Sequence, residues 1–185
     1  MLRKSIRRLP IVALVLFGVV FGVLTTAVRA QESTPSATTA ITINQIAPGV
    51  TAEVFAAATS LLAPGQTVYT VRFVFQPGAA IFPHSHPGTT VLGVVSGSFG
   101  WTLQAGVAHV VRGAAGATPG AVQDLTVAGT DVVLEPGDAI YYESDVVHTA
   151  RGAGDTPAVV AGSLVLKMGA PLLMPANMNM GAPTP

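Results

Sequence analysis

Residues 78–97 read GAAIFPHSHPGTTVLGVVSG, and the spacing of a few residue types within them decides the fold. Gly78 opens the stretch, His84 and His86 are separated by one residue, Thr90 follows, and Gly97 closes it. Two histidines at i and i+2 point to the same side of a β-strand, because strand side chains alternate with a period of two. Imidazoles on one face can then share a metal ion, provided a further ligand arrives from a neighbouring strand. A second stretch supplies it: Pro136-Gly137-Asp138 and, after nine residues, His148.

This frame resembles the two motifs of the cupin superfamily, G-x5-H-x-H-x3,4-E-x6-G and G-D-x4-P-x-G-x2-H-x3-N. Gly78, His84, His86 and Gly97 match the first, and Thr90 stands where that motif has glutamate. Gly137, Asp138 and His148 match the second, in which Glu143, Asp145 and Gly152 replace a proline, a glycine and an asparagine. The resemblance implies an all-β, cupin-type jelly-roll barrel. It also implies a divalent metal ion (Fe, Mn, Ni, Cu or Zn) on His84, His86 and His148. A small-molecule ligand or substrate would approach the open position of such a site. Activities of dioxygenase, isomerase or decarboxylase type fall within the resemblance, and a non-catalytic small-molecule- or metal-binding protein of the cell envelope is the alternative. Without the glutamate the ion keeps its full charge, which favours anionic or chelating ligands, while Thr90 is placed to hydrogen-bond an ion-bound water. Cupins often pair through their sheets, so a homodimer is also expected.

The first thirty residues stand apart. Arg3, Lys4, Arg7 and Arg8 precede an apolar run from Ile11 to Val23, and Val28 and Ala30 occupy the −3 and −1 positions of a cut before Gln31. That order is the anatomy of a secretory signal peptide. An uncleaved anchor is the competing reading, since Ile11 to Val28 reaches the lower limit for crossing a bilayer. The membrane would be a partner only in that case. Export to the periplasm, the exterior or the cell envelope follows from either reading.

Five of the nine basic residues lie in this leader and all nine acidic ones beyond it, so the rest of the chain carries four positive and nine negative charges. Arg72, Arg112, Arg151 and Lys167 cannot assemble a basic patch, which argues against nucleic acid as a partner. The chain has no cysteine, which excludes disulfides and thiolate ligands.

After a Ser/Thr/Ala/Pro-rich spacer over residues 31–39, the barrel domain is expected over 40–169 and a Pro/Met-rich tail over 170–185. Tyr69, Val71, Phe73 and Phe75 alternate with Thr70, Arg72 and Val74, the period of a half-buried strand. Further strands are expected at 90–96, 98–104, 130–134, 138–142 and 158–167. Pro-Gly pairs at 48, 64, 77, 87, 119 and 136 preset turns between them. Periodicity alone leaves a jelly roll and an immunoglobulin-like sandwich equally open. Residues 105–122 suggest a hairpin, a lid or a long surface loop.

Turnover needs a positioned acid or base beside the ion. Glu143 and Tyr142 are the candidates, with Asp145 and Tyr141 beside them. Glu143 and Asp145 read equally as solvated turn residues, and an inward tyrosine equally as core. His109 could swing over the pocket, Arg151 could meet an anionic ligand, and Phe99 and Trp101 are expected to fill the core. Met168, Met174, Met178 and Met180 raise a copper-handling tail, against which stands their ordinary use as adaptable packing.

Overall fold

The computed structural model describes residues 42–60, 62–113 and 119–176. The leader, the spacer, Met178 and Met180 lie outside these residues. The described chain forms strands and no helix. In order they are β1 (Thr42–Ala47), β2 (Val50–Ser60), β3 (Ala63–Phe75), β4 (Ala80–Ser85), β5 (Gly88–Ser96), β6 (Phe99–Ala105) and β7 (Ala108–Gly113). There follow β8 (Pro119–Leu125), β9 (Asp131–Leu134), β10 (Ala139–Tyr142), β11 (Val147–Gly152), β12 (Ala158–Lys167) and β13 (Met174–Pro175).

Two antiparallel sheets result, an eight-stranded one in the order β1-β2-β3-β12-β5-β10-β7-β8 and a five-stranded one in the order β13-β4-β11-β6-β9. The chain repeatedly crosses between them: β4 and β5 are consecutive but lie in different sheets, as are β10 and β11. This is the jelly roll that the histidine frame implied. Alternation explains the core. Val71, Phe73 and Phe75 of β3 are buried while Arg72 and Val74 are only partly so, and β12 buries Ala158, Val160, Leu164 and Leu166 in the same rhythm. The five-stranded sheet faces them with Ile81, Phe99, Trp101, Leu103, Leu134 and Ala150. Phe75 and Phe99 meet across the gap with ring centroids 5.2 Å apart. Each such side chain contributes about 1.5–3 kcal/mol on burial, which suits a chain that has no disulfide to rely on.

Of the three readings of residues 105–122, the described residues show the hairpin. Residues 108–113 and 119–125 form an antiparallel hairpin that extends the larger sheet, Ala108 pairing with Leu125 and Val110 with Gln123. Asp138, the acid of the second motif, ties this hairpin down. Its carboxylate accepts from the backbone N–H of Gly113 (2.8 Å) and of Glu135 (3.1 Å) and from Arg112 (2.7 Å). Burial pushes the Asp138 pKa up, but these donors together outweigh it and hold the carboxyl below its usual value. Asp138 therefore positions β7 and β10, and takes no part in the cavity.

Candidate metal centre

His84 and His148 are direct cross-strand partners in the pairing of β4 with β11. A register shift follows at once, for Ala150 pairs with Ile81. The extra residue in β4 lets Ile81 and His84, three apart, both face inward, while Phe82 between them is exposed. A second shift, between Val147 and His148, marks the pairing of β11 with β6. Bulges of this kind re-aim side chains beside functional sites. His86 lies one residue past the end of β4, in the turn to β5, so it reaches the interior through the turn and not through strand alternation. The sequence argument brought the right residues together by a partly different route.

The three imidazoles are almost fully buried, at 3% exposure for His84 and His86 and 1% for His148. One ligating nitrogen from each lies within 4.8 Å of the others. Nitrogens bound to a common ion at about 2.0–2.1 Å stand about 3.3 Å apart, so each ring needs to shift by under about 1 Å to share one. The backbone selects the nitrogen. His84 Nδ1–H donates to the Phe82 carbonyl (2.9 Å) and His86 Nδ1–H to the Leu172 carbonyl (2.6 Å), which leaves Nε2 of each as a free lone pair. Burial lowers all three pKa values. That of His86 falls to about 4, with the neighbouring His84 pushing in the same direction. That of His148 falls well below 6.5 through burial and then through His84 and His86, with the Val146 carbonyl opposing. His84 is lowered by burial against the pull of Phe82. All three rings are thus neutral at pH 7, as ligation requires. Three neutral, convergent, partly unpaired nitrogens fit a divalent ion well.

Beside them lies a small cavity, open on one side, with about 20 Å³ of room. Its wall is apolar (Phe73, Phe75, Ile81, Leu92, Phe99, Ala150, Val160 and Leu173) except for the three histidines and Tyr142. Tyr142 is the inward member of the tyrosine pair, at 2% exposure, and its phenol O–H donates to His148 Nε2 at 3.2 Å. Burial pushes its pKa far up, against the pull of the Thr90 and Trp101 side chains. Trp101 is core, as expected, but it also stacks on His148 with centroids 4.9 Å apart and planes 20° from parallel.

Other sequence candidates lie elsewhere. Thr90 is fully buried, and pairs with Tyr142 between β5 and β10, but is not part of the cavity wall. As cross-strand partners the two side chains share one face of the sheet, and the phenol is the one that reaches the cavity wall. Glu143 is exposed and accepts a hydrogen bond from Thr89 (2.7 Å), and Asp145 is exposed in the same turn. His109 sits on the far side of β7, bonded to Asp124 (2.8 Å) and stacked on the outward Tyr141 at 4.6 Å, so it does not cover the pocket. Arg151 is spent on a two-pronged pair with Asp131 (2.6 and 2.8 Å) outside the barrel. Sequence reasoning missed Leu172 and Leu173. They precede β13, which pairs Met174 with Ser85 and Pro175 with His84, and they close one side of the site. No hydrophobic period marks them, because a two-residue strand carries none.

No protein-family model matches this sequence, and no curated protein matches it. Solved structures do. KdgF from Halomonas sp. is similar at 19% identity over 69% of this chain and 88% of its own, with a TM-score of 0.44. An RmlC-like cupin from Shewanella frigidimarina gives 19%, 70% and 86%, with a TM-score of 0.38. Oxalate decarboxylase from Bacillus subtilis is similar at 18% identity and a TM-score of 0.43, but the match spans 65% of this chain and only 26% of that enzyme. These are distant likenesses of chain path. The jelly roll rests on the two sheets themselves, and the chemistry of the centre on its own residues.

Proposed function

We propose that this chain is an exported metalloprotein whose three-histidine centre binds a compact small molecule and activates it for reaction. The observation that carries this reading is the convergence of three buried, neutral imidazoles on the wall of an apolar cavity. His84, His86 and His148 would hold a divalent ion. When bound, such an ion supplies Lewis-acid polarisation of a coordinated oxygen. Phe73, Phe75, Leu92, Phe99 and Val160 exclude water and present an apolar wall to the ligand. Among the described residues no lysine, arginine or carboxylate stands in the wall to bind a charged tail, so the ligand is expected to be small and largely apolar, with one or two oxygen donors at one end. An enolate, a phenolate or a short-chain carboxylate has that form.

The same lack of a carboxylate or lysine base favours a second reading, a binder that holds such a molecule without turning it over. Elemental analysis of the purified protein tests the common premise: one equivalent of Fe, Mn, Ni, Cu or Zn, lost in His84→Ala and in His148→Ala. Loaded protein offered catechols, diketones and short carboxylates then separates the two readings. Consumption of ligand or oxygen supports the enzyme, whereas saturable binding with full recovery of the ligand supports the binder. For export, the basic and apolar leader is the support. Recovery outside the cytoplasm of a chain beginning at Gln31 is the expected result, and a cytoplasmic chain retaining Met1 would overturn it.

A further inference from the structure

The first motif places Thr90 where a fourth, negatively charged ligand would stand, and no described acidic side chain enters the cavity wall. The wall does hold one side-chain oxygen, the phenol of Tyr142. Its distance from His148 Nε2 is 3.2 Å. Two donors bound to one tetrahedral ion at about 2.0–2.1 Å lie about 3.3 Å apart, so this oxygen and this nitrogen already stand at the spacing of neighbours in a single coordination shell. The phenol is also fixed in place. Its strand is paired on both sides, with Tyr142 opposite Thr90 of β5 and Ala108 of β7. Its ring packs against His148 at 4.7 Å and Trp101 at 5.6 Å.

The hydrogen bond itself points the same way. The phenol donates to the His148 Nε2 lone pair, which an ion would occupy. An ion on that nitrogen breaks this hydrogen bond and leaves the phenol oxygen between the ion and the Thr90 hydroxyl beside it. Exchange of the phenolic proton for the ion brings one negative charge to the site.

Resting on the reading that the centre binds metal, we infer that Tyr142 is its fourth ligand: metal uptake releases the phenolic proton to solvent, and the phenolate oxygen binds the ion. The centre is then three histidines and one tyrosinate, with an M²⁺ ion left at a net charge of one instead of two. The histidines come from the smaller sheet and its following turn, and Tyr142 from the larger, so the ion joins the two sheets.

The test uses the full chain, loaded with Cu²⁺ and separately with Fe³⁺, and needs no substrate. A cupric or ferric tyrosinate gives a charge-transfer band in the visible that an all-imidazole site lacks. The loaded wild-type protein is expected to show this band and to release one proton per Cu²⁺ in unbuffered solution at pH 8, since its histidines are already neutral. Tyr142→Phe removes a single oxygen and keeps the ring. It is expected to retain three-histidine loading with at least about tenfold weaker affinity, to lack the band and to release no proton. Tyr141→Phe, on the outer face, keeps both signals. Stoichiometric loading of wild type without the band, or a band that survives in Tyr142→Phe, overturns the assignment of Tyr142 alone. A wild-type chain that takes up no metal overturns the proposed function as well.

Discussion

His86 shows how one buried side chain makes the whole chain sensitive to acid. Its folded pKa is about 4 and its unfolded value about 6.5, so between those values the unfolded chain binds a proton that the folded chain refuses. Stability therefore rises with pH through this window: the full contribution is present above about pH 6.5 and is lost as pH falls through about 4. For His86 alone the shift corresponds to about 3 kcal/mol, and His84 and His148, lowered in the same direction, add to it. Urea titrations of the chelated protein at pH 7.5, 6, 5 and 4.5 should show the midpoint falling steadily. His86→Gln should flatten the curve, and a midpoint independent of pH would mean that the rings are not buried. Trp101 offers a second reading at this scale. It is the only tryptophan in the chain and stacks on His148. Loading with paramagnetic Cu²⁺ should quench most of its fluorescence, with diamagnetic Zn²⁺ quenching far less. Equal emission with and without Cu²⁺ would place the ion elsewhere.

Among the elements, the motif glycines separate into two kinds. Gly78 and Gly97 both have positive φ, at 73° and 68°. A Cβ on Gly78 would meet nothing within 4 Å, whereas one on Gly97 would lie 2.4 Å from the Pro157 carbonyl oxygen. Gly78→Ala should thus cost only the left-handed backbone, about 1–2 kcal/mol. Gly97→Ala should cost more, because the turn from β5 to β6 must also move away from the start of β12. Comparison of the two urea midpoints checks the order. The strap that ends in β13 belongs to this scale too. Leu172 fixes the tautomer of His86, and outer contacts of this kind are worth about 10–100-fold in metal affinity. A chain ending at Pro171 should lose affinity by that order in a chelator competition while its urea midpoint changes little.

These elements also mark what the sequence could say. Alternation revealed β3, and the Pro-Gly pairs at 48 and 136 marked turns, because both are short-range signals, whereas Pro64-Gly65 and Pro119-Gly120 lie within β3 and β8. The histidine frame revealed the centre, because its members are chemically distinctive. The β7–β8 hairpin was only one of three readings of a stretch poor in large side chains. The bulge at Phe82-Pro83 left no local trace at all, since only pairing with β11 creates it. Motif position says that Thr90 stands where the glutamate would, but not that Tyr142, its partner on the next strand, would bring an oxygen to the cavity wall.

In the molecule as a whole, the centre sits where the two sheets face each other, so ion binding and folding are linked. His84 and His148 come from the five-stranded sheet and Tyr142 from the eight-stranded one. An ion that binds only the folded chain stabilises it by about 4 kcal/mol when free ion exceeds the dissociation constant a thousandfold. For a domain of this size each kcal/mol raises Tm by about 2–4 °C, so loading should raise Tm by about 10 °C. Chelation should reverse the gain. His148→Ala should melt at one temperature with or without metal, because too few ligands remain to distinguish the folded chain. Tyr142→Phe should keep part of the shift, since the three imidazoles of the smaller sheet and its following turn still bind the ion, but it should lose the part that comes from joining that sheet to the other. Hydrogen exchange locates the difference. With the ion bound, amides of β10 and β11 should both gain protection in the wild-type protein, and those of β11 alone in Tyr142→Phe. Equal protection of β10 in the two proteins would show that the ion is held from one side only.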